Sequence, residues 1–321
     1  MKGVIIDLVL IITKLIIRDF FMQKIYVLGS INMDMVITTP YIPAEGETLS
    51  GSNFFLNGGG KGANQAVAAA KQNVKTYLIG NVGNDIFGKD LINNLNEYNV
   101  DTTYLHKLNG TPTGVAMIII HNNDNRIILD GGANHKVTYQ QIDEALYSAE
   151  ENDIFITQLE NNFDAVIYGL KKAKERKMIT IFNPAPAKQL PEDIFAYIDY
   201  LILNETECEI LSGLYPENED SIKKVYEKLN VKNLIITLGS KGSLLVKQDQ
   251  IVKINPNKVN AVDTTAAGDT YVGVFASQLV KGKSEVDSLN YASITSSLTC
   301  LKEGAQQSIP YEKEVLEYIK K

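Results

Sequence analysis

From Lys24 onward the chain alternates short, nearly continuous apolar runs with longer stretches of helical period. Ile25–Leu28, Thr76–Ile79, Ile154–Thr157, Ile179–Phe182, Leu201–Leu203 and Leu234–Leu238 are of the first kind. A strand covered on both faces reads this way, because neither side of its pleat meets water. Between them, Ile86–Tyr98 repeats Phe87, Leu91, Leu95 and Tyr98 on one helical face, and Phe163–Lys174 and Ser221–Leu229 have the same period. Strands alternating with helices predict right-handed βαβ crossovers and an α/β fold with a mainly parallel sheet. Met35–Phe55 and Thr113–Leu129 break the rhythm: they alternate β-type residues with turn signals and leave no room for a crossover helix. Antiparallel strands in a small separate sheet fit both, either as a flap over a site or as plain edge hairpins. Ala266 to Lys321 reads as mostly helical.

Composition narrows the function. The 321 residues suffice for one large α/β domain or two small ones. Lys plus Arg is 31 against 38 Asp plus Glu, and no basic stripe interrupts that balance, which argues against nucleic acid as a main partner. Phosphates would have to be held by local devices such as a helix N-terminus. Cys208 and Cys300 are too far apart for a disulfide framework or zinc motif, so a reducing, cytoplasmic setting is expected. His106, His121 and His135 lack metal-motif spacing. Met1–Phe21 is apolar but interrupted by Asp7, Lys14 and Arg18. A membrane helix needs about 20 mostly apolar residues, so no membrane span is expected. Asp7, with no small-residue cleavage site after it, argues against a secretory signal. Residues 1–21 are read as an extension ahead of a natural start at Met22, or as an amphipathic surface or partner helix, and 22–321 as the folded domain.

Three segments carry candidate chemistry. In Asp263-Thr-Thr-Ala-Ala-Gly-Asp269, small residues lead into a helix whose apolar face is Val272, Phe275, Ala276 and Leu279. Its N-terminus suits a phosphoryl group, with the Ala266, Ala267 and Gly268 N–H groups as an anion hole and Asp269 beside them; a carboxylate there is equally a plain dipole complement. Asn57-Gly-Gly-Gly-Lys61-Gly-Ala-Asn64 implies close approach of backbone to a ligand or a neighbouring strand. It is not a Walker A loop, because Lys61 precedes Gly62, and Val27-Leu-Gly-Ser-Ile-Asn32 lacks the dinucleotide fingerprint. Asn32 with Asp34, and Asn204 with Glu207, follow strands; they suit sugar hydroxyls and hydrated Mg²⁺, or ordinary turn and N-cap chemistry.

Gly29-Ser-Ile-Asn-Met-Asp34, Gly59-Gly-Lys-Gly-Ala-Asn-Gln65, Asn183-Pro-Ala-Pro-Ala187, Asn204-Glu-Thr-Glu207, Thr237-Leu-Gly-Ser-Lys-Gly242 and Asp263–Asp269 occur in that order. Together they resemble the ribokinases, of the PfkB carbohydrate kinase family, from about Lys24 to the C-terminus. The resemblance implies a doubly wound α/β domain flanked by helices, with a β-sheet lid drawn from about 35–55 and 113–129, and homodimers formed through the lid. It implies ATP-dependent phosphorylation of ribose at O5 with Asp269 as general base; 2-deoxyribose, fructose or a nucleoside are alternative acceptors, and a non-catalytic sugar-responsive regulator is the alternative of another class. By resemblance, Asn32, Asp34, Gly60, Lys61, Asn64 and Glu160 hold the sugar. Thr237, Gly239, Ser240 and Gly242 match the nucleotide loop, with Asn204 and Gly268 beside it. Asn204 and Glu207 organise Mg²⁺ and phosphate, the Glu through water. Asp263, Thr265, Thr299, Lys302, Gly304 and Ser308 surround a monovalent cation, K⁺.

Overall fold

The computed structural model describes residues 23–122 and 124–320, so the extension read over 1–21 lies outside the described residues. β1 (Ile25–Leu28), β2 (Asn32–Thr38) and β3 (Ser52–Gly59) lead into α1 (Lys61–Ala70), β4 (Thr76–Gly83) and α2 (Ile86–Glu97). β5 (Val100–Asp101), β6 (Leu105–Leu108), β7 (Gly114–His121) and β8 (Asp124–Asp130) follow, then α3 (Tyr139–Leu146). Next come β9 (Ile154–Thr157), α4 (Phe163–Glu175), β10 (Ile179–Phe182), β11 (Tyr200–Asn204), α5 (Glu205–Ser212), α6 (Glu219–Leu229) and β12 (Asn233–Thr237). The hairpin β13 (Ser243–Lys247) and β14 (Gln250–Ile254) precedes α7 (Ala267–Val280), α8 (Glu285–Thr299) and α9 (Glu312–Ile319).

The main sheet runs β14-β13-β12-β11-β10-β9-β1-β4-β5, with β6 also paired to β4. All pairs from β12 across to β5 and β6 are parallel, and only the β13–β14 edge is antiparallel. The chain winds outward both ways from β1, to β4 on one side and β9 to β12 on the other. The side-chain period of two divides β1 between two cores: Ile25 and Val27 face α1, α2, α7 and α8, while Tyr26 and Leu28 face α3 to α6. Both faces are covered, which is why the run is continuously apolar. In α4, Val166, Leu170 and Ala173 form the buried stripe. Burying such a side chain contributes about 2 kcal/mol, so packing of the stripe outweighs propensity in holding a helix this short.

Two expectations are corrected. α7 is not an amphipathic helix with a single apolar face: every residue from Asp269 to Gln278 is buried, because the helix lies between α1 and α8. The second concerns the small sheet, of order β3-β2-β7-β8. Its outer pairs are antiparallel, but the central pair β2–β7 is parallel. The cause is topological: β2 and β7 follow β1 and β6, both parallel members of the main sheet, so both leave it in the same direction.

Lys71, just after α1, ties this face together. Its buried Nζ donates to the carbonyls of Gln306 and Ile309 at 2.8 Å each, and sits 4.3 Å from the Tyr98 ring centroid and 4.7 Å from that of Tyr311. Burial pushes the ammonium down to about 8. Among the described residues, no helix is long and apolar enough to cross a membrane.

Candidate active site

In a doubly wound sheet the crevice lies beyond the carboxyl ends of the strands, and the candidate residues gather there. Asn32 and Asp34 stand at the start of β2, with Asp34 8% exposed. The carboxylate of Asp34 packs onto the backbone of β3: a Cβ at Gly59 would lie 2.2 Å from Asp34 Oδ2, so only glycine admits the carboxylate. The side chain of Asn134 donates to Asn32 Oδ1 at 2.7 Å and accepts from Ile31 N at 2.9 Å, which fixes the turn between β1 and β2. Glu160, after β9, accepts through Oε2 from Ser30 Oγ at 2.6 Å and from Lys61 N at 3.2 Å. Gly60, with φ at +91°, turns the chain into α1 so that Lys61 begins the helix at the crevice.

Charge in this cluster is shared. Burial pushes the Asp34 carboxyl up to about 7, and the negative charges of Glu160 and Asp269 add to it. Asp269 raises the Lys61 ammonium, against the opposing effect of burial and helped by Glu160 and Glu207. Burial likewise raises the Glu207 carboxyl, opposed by its hydrogen bond from Asn204 N and by Lys61.

Asp269 lies in the first turn of α7. Its Oδ2 accepts from Asn64 Nδ2 at 3.0 Å and its Oδ1 from Gln65 Nε2 at 3.0 Å. The helix is entered through Ala266 in the left-handed region, φ +59°, a conformation that costs a non-glycine residue about 1 kcal/mol. Ala267 N donates to Thr264 O at 3.2 Å, whereas the N–H groups of Ala266 and Gly268 have no acceptor among the described residues. Two cavities meet at this helix end. A cleft of about 250 Å³ is lined by Lys61, Asn183, Glu207, Ala266 and Asp269. A larger cavity of about 700 Å³ is lined by Gly239, Ser240, Gly242, Lys258, Tyr271 and Ser297. Asn204, Thr237, Thr264 and Gly268 line both. An opening of about 950 Å³ beside Lys24 and Lys75 is at the other end of the strands, away from these groups.

Asn204 and Glu207 form a capping box on α5: Asn204 Oδ1 accepts from Glu207 N at 2.8 Å and Glu207 Oε2 from Asn204 N at 2.9 Å. The N-cap reading of this dyad is met, and both residues also line the cleft. Asp263 joins two loops, accepting from Thr265 N at 2.9 Å, from Thr265 Oγ1 at 2.6 Å and from Gly304 N at 2.8 Å. The rest of that group is more dispersed. Thr299 Oγ1 bonds Thr270 Oγ1 at 3.1 Å between α7 and α8, Ser308 Oγ bonds Ala305 O at 2.7 Å, and Lys302 turns outward to Glu314 at 3.1 Å.

Sequence reasoning passed over Gln65, Asn134, Gln158 and Gln306, all of them buried. Gln65 stands next to Asn64 in the glycine-rich segment, and its adjacency was the available signal. Gln306 lies in Gly304-Ala-Gln-Gln-Ser308, a run that shares in the resemblance but gave this residue no role, while Gln158 lies outside those motifs; only the fold brings both to Asn64 and Gln65.

Residues 22–312 match the pfkB family carbohydrate kinase profile. The chain is 36% identical over 301 residues to the ribokinase of Haemophilus influenzae, covering 92% of this chain and 98% of that one. It is 36% identical over 302 residues to the deoxyribokinase of Salmonella typhi, covering 92% and 99%. The structure of Arabidopsis thaliana ribokinase complexed with ribose and ATP superposes with a TM-score of 0.87 at 32% identity, covering 94% of this chain and 100% of that one. With a crevice built on Asp34, Lys61 and Asp269 and a family match across nine-tenths of its length, the chain belongs to the pfkB family of carbohydrate kinases.

Proposed function

We propose that this protein transfers the γ-phosphoryl group of ATP to O5 of D-ribose, giving ribose 5-phosphate. The observation that carries the reading is the position of Asp269, in the first turn of α7 with Lys61 and Asp34 near it, where a polar cleft meets a larger cavity. The similarity to ribokinases, one of them complexed with ribose and ATP, supports ribose and ATP as substrates.

Asn32, Asp34, Gly60, Lys61, Asn64 and Glu160 would hold the sugar, carboxylates and amides accepting from adjacent hydroxyls and Lys61 donating. The 700 Å³ cavity would take the nucleotide, with Thr237, Gly239, Ser240 and Gly242 along the phosphates and Asn204 and Gly268 at the junction. Asp269 would accept the proton of the O5 hydroxyl as that oxygen attacks in line. Negative charge on the transferred phosphoryl would meet the unengaged N–H groups of Ala266 and Gly268, both of which line the cleft, and the helix N-terminus behind them, with Ala267 contributing less because its N–H is engaged. Glu207 keeps Oε1 free of its cap and faces the cleft, which suits hydrated Mg²⁺ bound with Asn204, an ion that would neutralise triphosphate charge. For K⁺ the fit rests on Asp263, whose carboxylate meets only neutral donors, with Thr265 and Gly304 beside it. Thr299, Lys302 and Ser308 would contribute backbone carbonyls, and the ion would supply a positive charge behind the anion hole.

The small sheet would act as a lid that excludes water from the transfer, and its outer apolar face would pair two copies of the chain into a homodimer. Free Cys208 and Cys300 and an ATP substrate suit a cytoplasmic setting.

A coupled assay of ATP consumption over a panel of sugars tests the acceptor. Ribose is expected to give the highest kcat/KM; a higher value for 2-deoxyribose would favour the second reading, which the relation to a deoxyribokinase supports. Asp269→Asn is expected to retain ribose and ATP binding while kcat falls roughly a thousandfold or more. Near-normal turnover would remove Asp269 from the role of base.

A further inference from the structure

Asp269 is gripped from behind by side chains that the reaction scheme above leaves without a task. Gln65 is fully buried on α1 and its Nε2 donates to Asp269 Oδ1 at 3.0 Å. The same Nε2 reaches Asn183 Oδ1 at 3.2 Å. Gln65 Oε1 in turn accepts from Gln158 Nε2 at 2.6 Å, and Gln158 is 1% exposed. On the other carboxylate oxygen, Asn64 Nδ2 donates at 3.0 Å, and Asn64 Oδ1 accepts from Gln306 Nε2 at 3.3 Å.

The directions in this relay are dictated by chemistry. An ionised carboxylate only accepts, so both amides that touch it must present their NH₂ groups. Each amide then turns its carbonyl away, and each carbonyl needs a donor of its own, which Gln158 and Gln306 supply. The relay thus presents one N–H donor to each oxygen of Asp269 and leaves neither amide carbonyl without a donor. Each carboxylate oxygen has a second lone pair, so the amides hold the group without consuming its basicity.

We propose that Gln65, locked in sense by Gln158, is a positioning residue that aims the Asp269 carboxylate at the reacting hydroxyl by donating to its charged form. The inference rests on Asp269 being the base. Asn64 shares the grip but is also assigned to the sugar, so Gln65 is where positioning is separable from binding. The charged groups around Asp269 are Lys61 on α1, Asp34 on β2 and Glu207 on α5, with Glu160 after β9 beside Lys61 and Asp34; none of them touches Gln65 through a hydrogen bond among the described residues.

The test is the pH profile of kcat at saturating ribose and ATP for Gln65→Met, which keeps volume and removes the amide. Its kcat is expected to fall roughly 10- to 100-fold with both KM values within about threefold, as for a misaimed catalytic group. Its acid limb is expected to move up by roughly half to one pH unit, because a carboxylate that loses a donor holds its proton more tightly. Gln158→Met should shift the limb in the same sense by less, and it keeps the inference testable if Gln65→Met folds poorly. In an Asp269→Asn background, adding Gln65→Met should change the residual turnover less than about twofold, since nothing remains to aim. A drop in kcat with an unmoved acid limb, or the same loss factor with and without Asp269, would overturn the proposal and leave Gln65 a packing residue. Near-normal turnover in Asp269→Asn alone would instead remove the base reading on which it stands.

Discussion

Asp34 is the residue whose surroundings make the sharpest quantitative demand. Its carboxyl titrates at about 7 in the folded protein against 3.8 in its ordinary state. Between those values the unfolded chain binds fewer protons at this group than the folded one, so the contribution of Asp34 to stability without ligand is greatest below about pH 4 and declines as pH rises toward 7. Asp34→Asn should flatten that decline, measured as Tm across pH 4 to 8, and an unchanged slope would mean that Asp34 is solvated. Ionised Asp34 is the better acceptor for two sugar hydroxyls. The KM for ribose should therefore rise about tenfold per unit as pH falls below 7, while the KM for ATP does not follow. Asp34→Ala should likewise raise the sugar KM far more than that for ATP, and equal effects on both would place Asp34 outside the sugar site. At this scale, the motif residues could be picked out of the sequence, but their charge states could not. The Asp34 carboxyl moves to about 7 because folding buries it and then brings Glu160, 126 positions away in sequence, and Asp269 beside it.

At the scale of elements, helix ends hold the site. α5 begins with a capping box whose two members also line the cleft. The capping role of Glu207 is separable from its proposed role toward Mg²⁺, because glutamine can replace glutamate in a capping box but carries no charge. Glu207→Gln is expected to leave Tm within a few degrees and to raise the Mg²⁺ concentration needed for half-maximal activity at least tenfold. Glu207→Ala should lose the cap as well, at a cost of about 1 kcal/mol. Equal Mg²⁺ dependence in Glu207→Gln and the unaltered protein would confine Glu207 to capping. α1 shows the other way in which sequence serves position. A Cβ on Gly62 would lie 2.3 Å from the Cα of Gly29, so the helix can sit directly on the end of β1 only with glycine at that contact. The sequence announced close approach in that segment, while the identity of the partner backbone came from the fold.

At the scale of the molecule, the small sheet carries apolar side chains on both faces, and toward its outer strands they are exposed. Cross-strand register puts Met35, Leu56, Met117 and Ile128 on the face opposite Asp34. Leu56 is 47%, Met117 52% and Ile128 63% exposed, which is a contiguous patch rather than scattered side chains. If two copies pair through it, Ile128→Lys should yield a monomer by light scattering while Tm changes little, since the position is exposed in a single subunit. A monomeric unaltered protein would remove the lid-paired dimer. By itself, the sequence determined what depends on local pattern. Continuous apolar runs fixed buried strands, their alternation with helical periods fixed an α/β fold with a mainly parallel sheet, and the ordered motifs, through the family they resemble, marked Asp34, Lys61 and Asp269. Tertiary structure decided what depends on meeting across long stretches of chain. It made the central pair of the small sheet parallel, enclosed α7 on all sides, and drew Gln65, Gln158 and Gln306 into the grip on Asp269. Period and spacing record how a residue stands to its own neighbours in sequence; they hold no record of which distant amide will face which carboxylate.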